Sequence, residues 1–252
     1  MHPENTMAAF ASAIELGCRY LETDVHLTAD GVLIAFHDDR LDRVTDRQGL
    51  VAELSWPEIR QARVGGREPI VEFAELLSAF PEARINIDPK HDAAVPALIR
   101  VMRDPRIAER LCIGSFSDRR VAEIRSAIGP AACTALGPWE IAALRVGAWG
   151  ARPLLDRLRD RPGRCVQVPV RGRLGMPLAE PGLIAAAHEM GLPVHAWTIN
   201  EPDEMRRLLD LGVDGLFTDR PTTLRAVLVE RGEWFGDAAS EHGHKPQDGT
   251  IA

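Results

Sequence analysis

Polar and apolar residues interleave most tightly in residues 19–37, where Leu21, Val25 and Leu27, then Val32, Ile34 and Phe36, alternate with charged positions. That period of two predicts two β-strands. Asp30-Gly31 lies between them, a pair favoured in two-residue type I′ hairpin loops because both central residues need positive φ. A two-residue loop there sets Asp24 opposite His37 and Glu22 opposite Asp39. Facing residues and i, i+2 neighbours share one side of a sheet. The expectation is therefore one face carrying Glu22, Asp24, His37 and Asp39, with His26 on the other side. Three carboxylates and an imidazole amid apolar neighbours have the look of a site.

Before this hairpin, Met7, Phe10, Ala11 and Ile14 recur at helical spacing and predict a helix over 3–16, with Pro3 in its first turn and Gly17 at its end. After it, residues 41–68 are polar and rich in turn formers, with a short helix over 55–62 begun by Ser55 and Pro57. From there helix and strand alternate. Helices over 71–80, 93–103, 118–128, 138–160, 180–190 and 201–211 precede strands over 84–88, 111–116, 131–136, 165–168, 193–197 and 215–218, and a last helix covers 221–230. The strands are short and apolar, as in a parallel sheet buried on both faces. With 19–25 this makes seven parallel strands, whereas eight close a (β/α)₈ TIM barrel. The fold expected is thus α/β, a (β/α)₈ TIM barrel whose first strand, the one preceding helix 3–16, is missing from the chain. The barrel is expected to span 1–236, and 237–252 to form a polar C-terminal tail.

Composition narrows the function classes. At 252 residues the chain has the length of one α/β barrel. A net charge of −7 argues against nucleic acid or an anionic membrane as main partner, and is compatible with a hard cation held by carboxylates. The four cysteines are widely spaced, form no CxxC, and read as free thiols of a reducing compartment. With no apolar run long enough to span a bilayer and no signal peptide, the expected location is cytoplasmic.

In parallel barrels the chemistry sits at the carboxyl ends of the strands. Those ends supply Glu22 and Asp24, Asp88 and Lys90, Ser115 and Ser117, Gln167, then His195, Trp197 and Asn200, and Thr218-Asp219-Arg220. Glu22 and Asp24 point the same way and suit a shared divalent cation, or else a solvated edge or a salt-bridge partner. Asp88 adds a third oxygen ligand, or caps a helix. Lys90 can meet a phosphate, or else is a solvated side chain. His37 is the acid–base candidate, since its pKa lies near neutrality, or else a core or ligand histidine. His195 reads as a buried, hydrogen-bonded histidine, and Trp197 as a pocket floor or plain core. His91 has no pattern. Neither G-x-S-x-G nor G-x-G-x-x-G occurs, so serine-hydrolase and dinucleotide readings have no support.

Six stretches, in order, resemble the glycerophosphodiester phosphodiesterases. They are Pro-Glu-Asn-Thr at 3–6, Glu-Thr-Asp-Val-His-Leu-Thr-Ala-Asp-Gly-Val-Leu-Ile-Ala-Phe-His-Asp at 22–38, Leu-Asp-Arg-Val-Thr at 41–45, Asn-Ile-Asp-Pro-Lys at 86–90, His-Ala-Trp-Thr-Ile-Asn at 195–200 and Gly-Val-Asp-Gly-Leu-Phe-Thr-Asp-Arg-Pro at 212–221. The resemblance implies a (β/α)₈ barrel that binds one divalent cation, Mg²⁺ or Ca²⁺, and hydrolyses small-molecule glycerophosphodiesters to sn-glycerol 3-phosphate and an alcohol. It implies Glu22, Asp24 and Asp88 as metal ligands, Asp88 standing where the family usually has glutamate. It also implies Lys90 as a phosphate contact and His37 as one of two catalytic histidines. The second histidine of the family opens a His-Arg-Gly motif on the first strand, which lies outside this sequence. Two alternatives follow: a catalytically impaired or non-catalytic phosphodiester-binding relative, or a lysophospholipase-D-like enzyme.

Overall fold

The computed structural model describes residues 2–159, 163–172 and 175–236; the expected tail at 237–252 lies outside them. The chain divides into two compact units, one of Met1–Glu15 with Tyr20–Cys133 and the other of Leu16–Arg19 with Thr134–Ala252.

The first unit opens with the helix Met7–Glu15. Thr6 accepts the Ala9 N–H on its hydroxyl, so the helix begins later than the apolar pattern predicts. Strand β1 (Tyr20–Leu27) pairs antiparallel with β2 (Leu33–Ala35). Between β2 and the next strand pairs lies a turn-rich excursion. In it the helix Trp56–Ile59 starts where Glu58 accepts both the N–H and the hydroxyl of Ser55. A small ribbon follows, β3 (Arg63–Val64) against β4 (Glu68–Pro69), and then β5 (Val71–Glu72), which pairs with β2. Strand β6 (Arg84–Pro89) lies parallel to β1, and β7 (Leu111–Ile113) parallel to β6. The sheet order through this unit is β5-β2-β1-β6-β7. Cys133, the first residue of β8 (Cys133–Thr134), closes the unit.

The two faces of this sheet differ in kind. Leu21 and Val25 of β1, Leu33 and Ala35 of β2, Ile85 and Ile87 of β6, and Leu111 and Ile113 of β7 join one buried cluster. Helix residues Phe73, Leu76, Leu98, Met102 and Ile124 complete that cluster. The intervening positions, Glu22, Asp24 and His26 on β1 and Asn86 and Asp88 on β6, lie on the opposite face, since side chains alternate along a strand. These two strands are therefore apolar on one side only, a departure from the both-faces-apolar expectation. Ile34 and Phe36 pack instead into a satellite core with Leu41, Val51, Ile59 and Val64, beneath the excursion.

The hairpin departs from its expected register by one residue. Val25 pairs with Ala35, His26 with Ile34 and Leu27 with Leu33. Asp24 therefore lies opposite Phe36, whose N–H donates to the Asp24 carbonyl, and not opposite His37. The cause is a three-residue loop, Ala29-Asp30-Gly31, in place of the two-residue one. The Thr28 hydroxyl donates to Asp30 Oδ1 at 2.6 Å and accepts the Val32 N–H at 2.9 Å, while Asp30 also accepts the Trp56 N–H. Only Gly31 takes positive φ, at +86°, as in a type I turn closed by a left-handed residue. The shift removes the expected facings of Asp24 with His37 and of Glu22 with Asp39, whereas His26, expected on the other side, shares the Asp24 face because i, i+2 neighbours on one strand do so in any register. Gly31→Ala introduces no clash, because nothing lies within 4 Å of an added Cβ. It should still cost about 1 kcal/mol through the left-handed backbone alone, which a urea titration will measure.

In the second unit, β9 (Val166–Pro169), β10 (Val194–Trp197) and β11 (Gly215–Leu216) form a parallel sheet in the order β11-β10-β9. Val166, Val168, Val194 and Ala196 enter a core with helix residues Leu144, Leu183, Ala187, Met205 and Leu208. Gln167 pairs with His195 across β9 and β10, and both alternate with those core positions. The helical stretch predicted over 138–160 is two helices, Pro138–Ala148 and Arg152–Arg159, broken at Gly150 with φ +119°. All seven predicted strand positions hold strands (β1 and β6 to β11).

Candidate active site

The polar face of β1 and β6 gathers acidic groups because the two strands run in register. Glu22 lies beside Asn86 and Asp24 beside Asp88. Asp24 is buried at 6% exposure, a costly place for a carboxylate without a partner. Its partner is Lys90, just past β6, where the backbone N–H of Lys90 donates to the Val25 carbonyl and holds the turn against β1. Lys90 Nζ stands 2.7 Å from Asp24 Oδ1 and 3.2 Å from Asp88 Oδ2. Burial works against the ammonium, but the two carboxylates hold its pKa above the usual lysine value. Asp88 is raised, chiefly by burial, and Lys90 opposes that rise. The second Asp88 oxygen, Oδ1, is buried and accepts no hydrogen bond. A cation-seeking oxygen in that position fits a divalent ion as well as it fits the ammonium beside it.

Of the expected set, the structure thus brings together Asp24, Asp88 and Lys90. Glu22 shares their face and is exposed. Glu22, Asp24 and Asp88 do not converge tightly. Among the described residues, the group whose ligand atoms come within 4.8 Å of one another is His26, Asp39 and His91.

His37 follows the end of β2 and is half exposed. Its Nδ1 lies 2.7 Å from Asp38 Oδ1. A carboxylate only accepts, so Nδ1 carries the proton, and Nε2 is left for proton exchange. Asp38 is in turn held by the Arg43 guanidinium, which also binds Glu4. The Arg43 hydrogen bond keeps the Asp38 carboxyl down at about 2. His37 is therefore an oriented imidazole braced by an anion, the arrangement that general acid–base groups use. Asp38, Arg43 and Glu4 were not singled out in the sequence. The signal was present, since His37-Asp38 adjoin and Arg43 lies in a matched motif, but the link to Glu4 is tertiary.

His26, expected on the other side of the hairpin, is fully buried on the Asp24 face, and burial lowers its pKa. In the second unit, Trp197 ends β10 and is partly buried. His195 is 7% exposed, its ring edge-on to Phe217 at 6.0 Å between centroids. Its Nε2 is buried without a hydrogen-bond partner, contrary to the hydrogen-bonded state expected. Burial lowers its pKa to about 4, and Asp214 offsets only part of that. Nearby, Asn200 Oδ1 accepts from the Thr218 hydroxyl and the Asp219 N–H, fixing the loops after β10 and β11 to each other.

The model of the glycerophosphoryl diester phosphodiesterase family matches residues 1–223. A probable glycerophosphodiester phosphodiesterase 2 of Mycobacterium tuberculosis is 40% identical over 235 residues, covering 93% of this chain and 88% of that one. A lysophospholipase D of Rattus norvegicus is 26% identical over 261 residues, covering 89% and 82%. Among solved structures, a putative glycerophosphoryl diester phosphodiesterase of Silicibacter pomeroyi matches with TM-score 0.74 and 26% identity, covering 92% and 91%. An Oleispira antarctica phosphodiesterase, solved with the product sn-glycerol-3-phosphate, matches with TM-score 0.73 at 21% identity, covering 90% and 92%. The fold class is α/β, a TIM barrel. The chain belongs to the glycerophosphoryl diester phosphodiesterase family, and its enzyme class is that of a phosphoric diester hydrolase.

Proposed function

We propose that this protein hydrolyses glycerophosphodiesters to sn-glycerol 3-phosphate and an alcohol, assisted by one divalent cation, Mg²⁺ or Ca²⁺. The observation that carries this reading is the bridge from Asp24 through Lys90 to Asp88, beside the unpartnered buried oxygen of Asp88. Glu22, Asp24 and Asp88 are the residues that would hold the cation, an all-oxygen set suited to a hard ion. When bound, such a cation neutralises phosphate charge as the ester bond breaks. Lys90 supplies a point charge for a phosphate oxygen. His37, with Nδ1 fixed on Asp38, exchanges a proton at Nε2 with the attacking water or the departing alcohol. Trp197 is assigned to the substrate's organic part, by its place at a strand end.

The test is release of glycerol 3-phosphate from glycerophosphocholine. EDTA should abolish release, and Mg²⁺ or Ca²⁺ should restore it. The double variant Glu22→Ala, Asp24→Ala should stay inactive after either ion is returned. Turnover that survives both EDTA and the double variant would remove the metal from the proposal. The likeness to a lysophospholipase D motivates a second reading, in which the ester carries an acyl chain. Lysophosphatidylcholine in the same assay decides between them by choline release. Among the described residues no helix is long and apolar enough to cross a membrane.

A further inference from the structure

We propose that His26, Asp39 and His91 form a second cation site, distinct from the carboxylate set, that takes a first-row transition-metal ion such as Zn²⁺. Each residue arrives on a different segment of the first unit. His26 is on β1, Asp39 lies on the loop after β2, and His91 follows Lys90 in the turn after β6. Ligand atoms from all three lie within 4.8 Å of one another. His91 Nε2 stands 3.1 Å from an Asp39 carboxylate oxygen. That separation is close to the roughly 3.3 Å edge of a tetrahedron built on metal–ligand bonds near 2.0 Å. The rings of His26 and His91 meet edge to face with centroids 4.8 Å apart.

The state of His26 is what distinguishes this cluster from a chance meeting of polar groups. Its Nε2 lies 3.0 Å from the carbonyl oxygen of His37. A carbonyl accepts and never donates, so Nε2 carries the proton and Nδ1 bears the lone pair. That Nδ1 is buried and has no hydrogen-bond partner, in a side chain that is 0% exposed. An orphaned acceptor at such a place is normally penalised. An imidazole with one N–H on a backbone carbonyl and the other nitrogen open is also how metal-binding histidines are commonly held. The ligand set sorts the ions. Two imidazoles and one carboxylate suit Zn²⁺ and its neighbours, whereas Mg²⁺ and Ca²⁺ prefer oxygen throughout. Three protein ligands leave a fourth position open.

A metal here would tie three segments together. The loop it fixes through Asp39 also carries His37, and the turn it fixes through His91 also carries Lys90. The site would thus set the spacing between two groups assigned to catalysis without touching substrate.

The experiment is a Zn²⁺ titration of the full chain in a large excess of Mg²⁺, which keeps the carboxylate site filled. One tight equivalent is expected, and Co²⁺ in its place should give the visible absorption of a nitrogen-ligated ion. His91→Ala and Asp39→Asn, both at solvent-accessible positions, should each weaken Zn²⁺ by about 100-fold or more, beyond the 10–100-fold that loss of a supporting partner costs. The urea midpoint of each variant, measured without metal, confirms that it folds. Zn²⁺ affinity unchanged in His91→Ala would overturn the proposal, as would a wild-type chain that takes up no Zn²⁺ under excess Mg²⁺. Binding lost in Glu22→Ala, Asp24→Ala but retained in His91→Ala would place the ion in the carboxylate site and also overturn it.

Discussion

Alanine at His37 should lower the turnover of glycerophosphocholine by about 10²–10⁴-fold, the contribution of one positioned acid–base group, or roughly 3–5 kcal/mol of barrier. The effect belongs on kcat, because the imidazole exchanges a proton at Nε2 and does not hold the substrate. The side chain is 53% exposed and takes part in none of the three core clusters, so thermal stability should barely change. Asp38→Asn should lose less, about 10–100-fold, by the measure of an orienting partner to a histidine. It keeps the ring but removes the anion that fixes the proton on Nδ1. Arg43 would then have lost its charged partner there while keeping Glu4, so Asp38→Asn also tests whether the brace works through charge. Steady-state rates for the two variants check this. A His37→Ala enzyme with wild-type kcat would remove His37 from the mechanism.

Acid should destabilise the fold through His195. Its pKa is lowered from 6.5 to about 4 by burial, so the folded state refuses a proton that the unfolded chain accepts. Above pH 6.5 both states are neutral and the residue adds no pH dependence. As pH falls from 6.5 towards 4 the unfolded state alone binds the proton, and stability is lost. The loss reaches about 3 kcal/mol, at 1.36 kcal/mol per pKa unit, and levels off below the folded pKa. The measurement is the stability difference between wild type and His195→Asn, which cannot titrate, taken from urea unfolding at several pH values. Any fixed cost of the substitution cancels in the pH trend. A difference that stays constant from neutral pH down to 4 would contradict the buried, uncharged imidazole.

The elements themselves were largely legible in the sequence. Seven strands occur where apolar runs predicted them, and the helix Asp118–Ile128 matches its predicted bounds residue for residue. Long-period patterns of this kind are robust because burial of a whole face enforces them. The hairpin register was not legible, since Asp-Gly occurs in both two- and three-residue loops. The choice fell to the Thr28 hydroxyl and to Trp56, which captures Asp30 from 26 residues away. Asp24, Asp88 and Lys90 were placed together by strand adjacency alone, which the sequence could supply. His26, Asp39 and His91 were not: strand alternation already put His26 on the Asp24 face, but Asp39 and His91 meet it only through the fold. The link from Arg43 on to Glu4 was likewise a matter of tertiary approach.

Strands β1 and β6 interleave two messages in one stretch of chain. Odd-numbered residues such as Leu21, Val25, Ile85 and Ile87 address the helices, and even-numbered ones such as Glu22, Asp24 and Asp88 form the polar face to which the chemistry is assigned by proposal. Selection can therefore rewrite one message without editing the other. A lineage could exchange its ligands or its substrate through even positions while the odd positions keep the same packing. The same strands would read as conservative to a structural comparison and as divergent to a functional one.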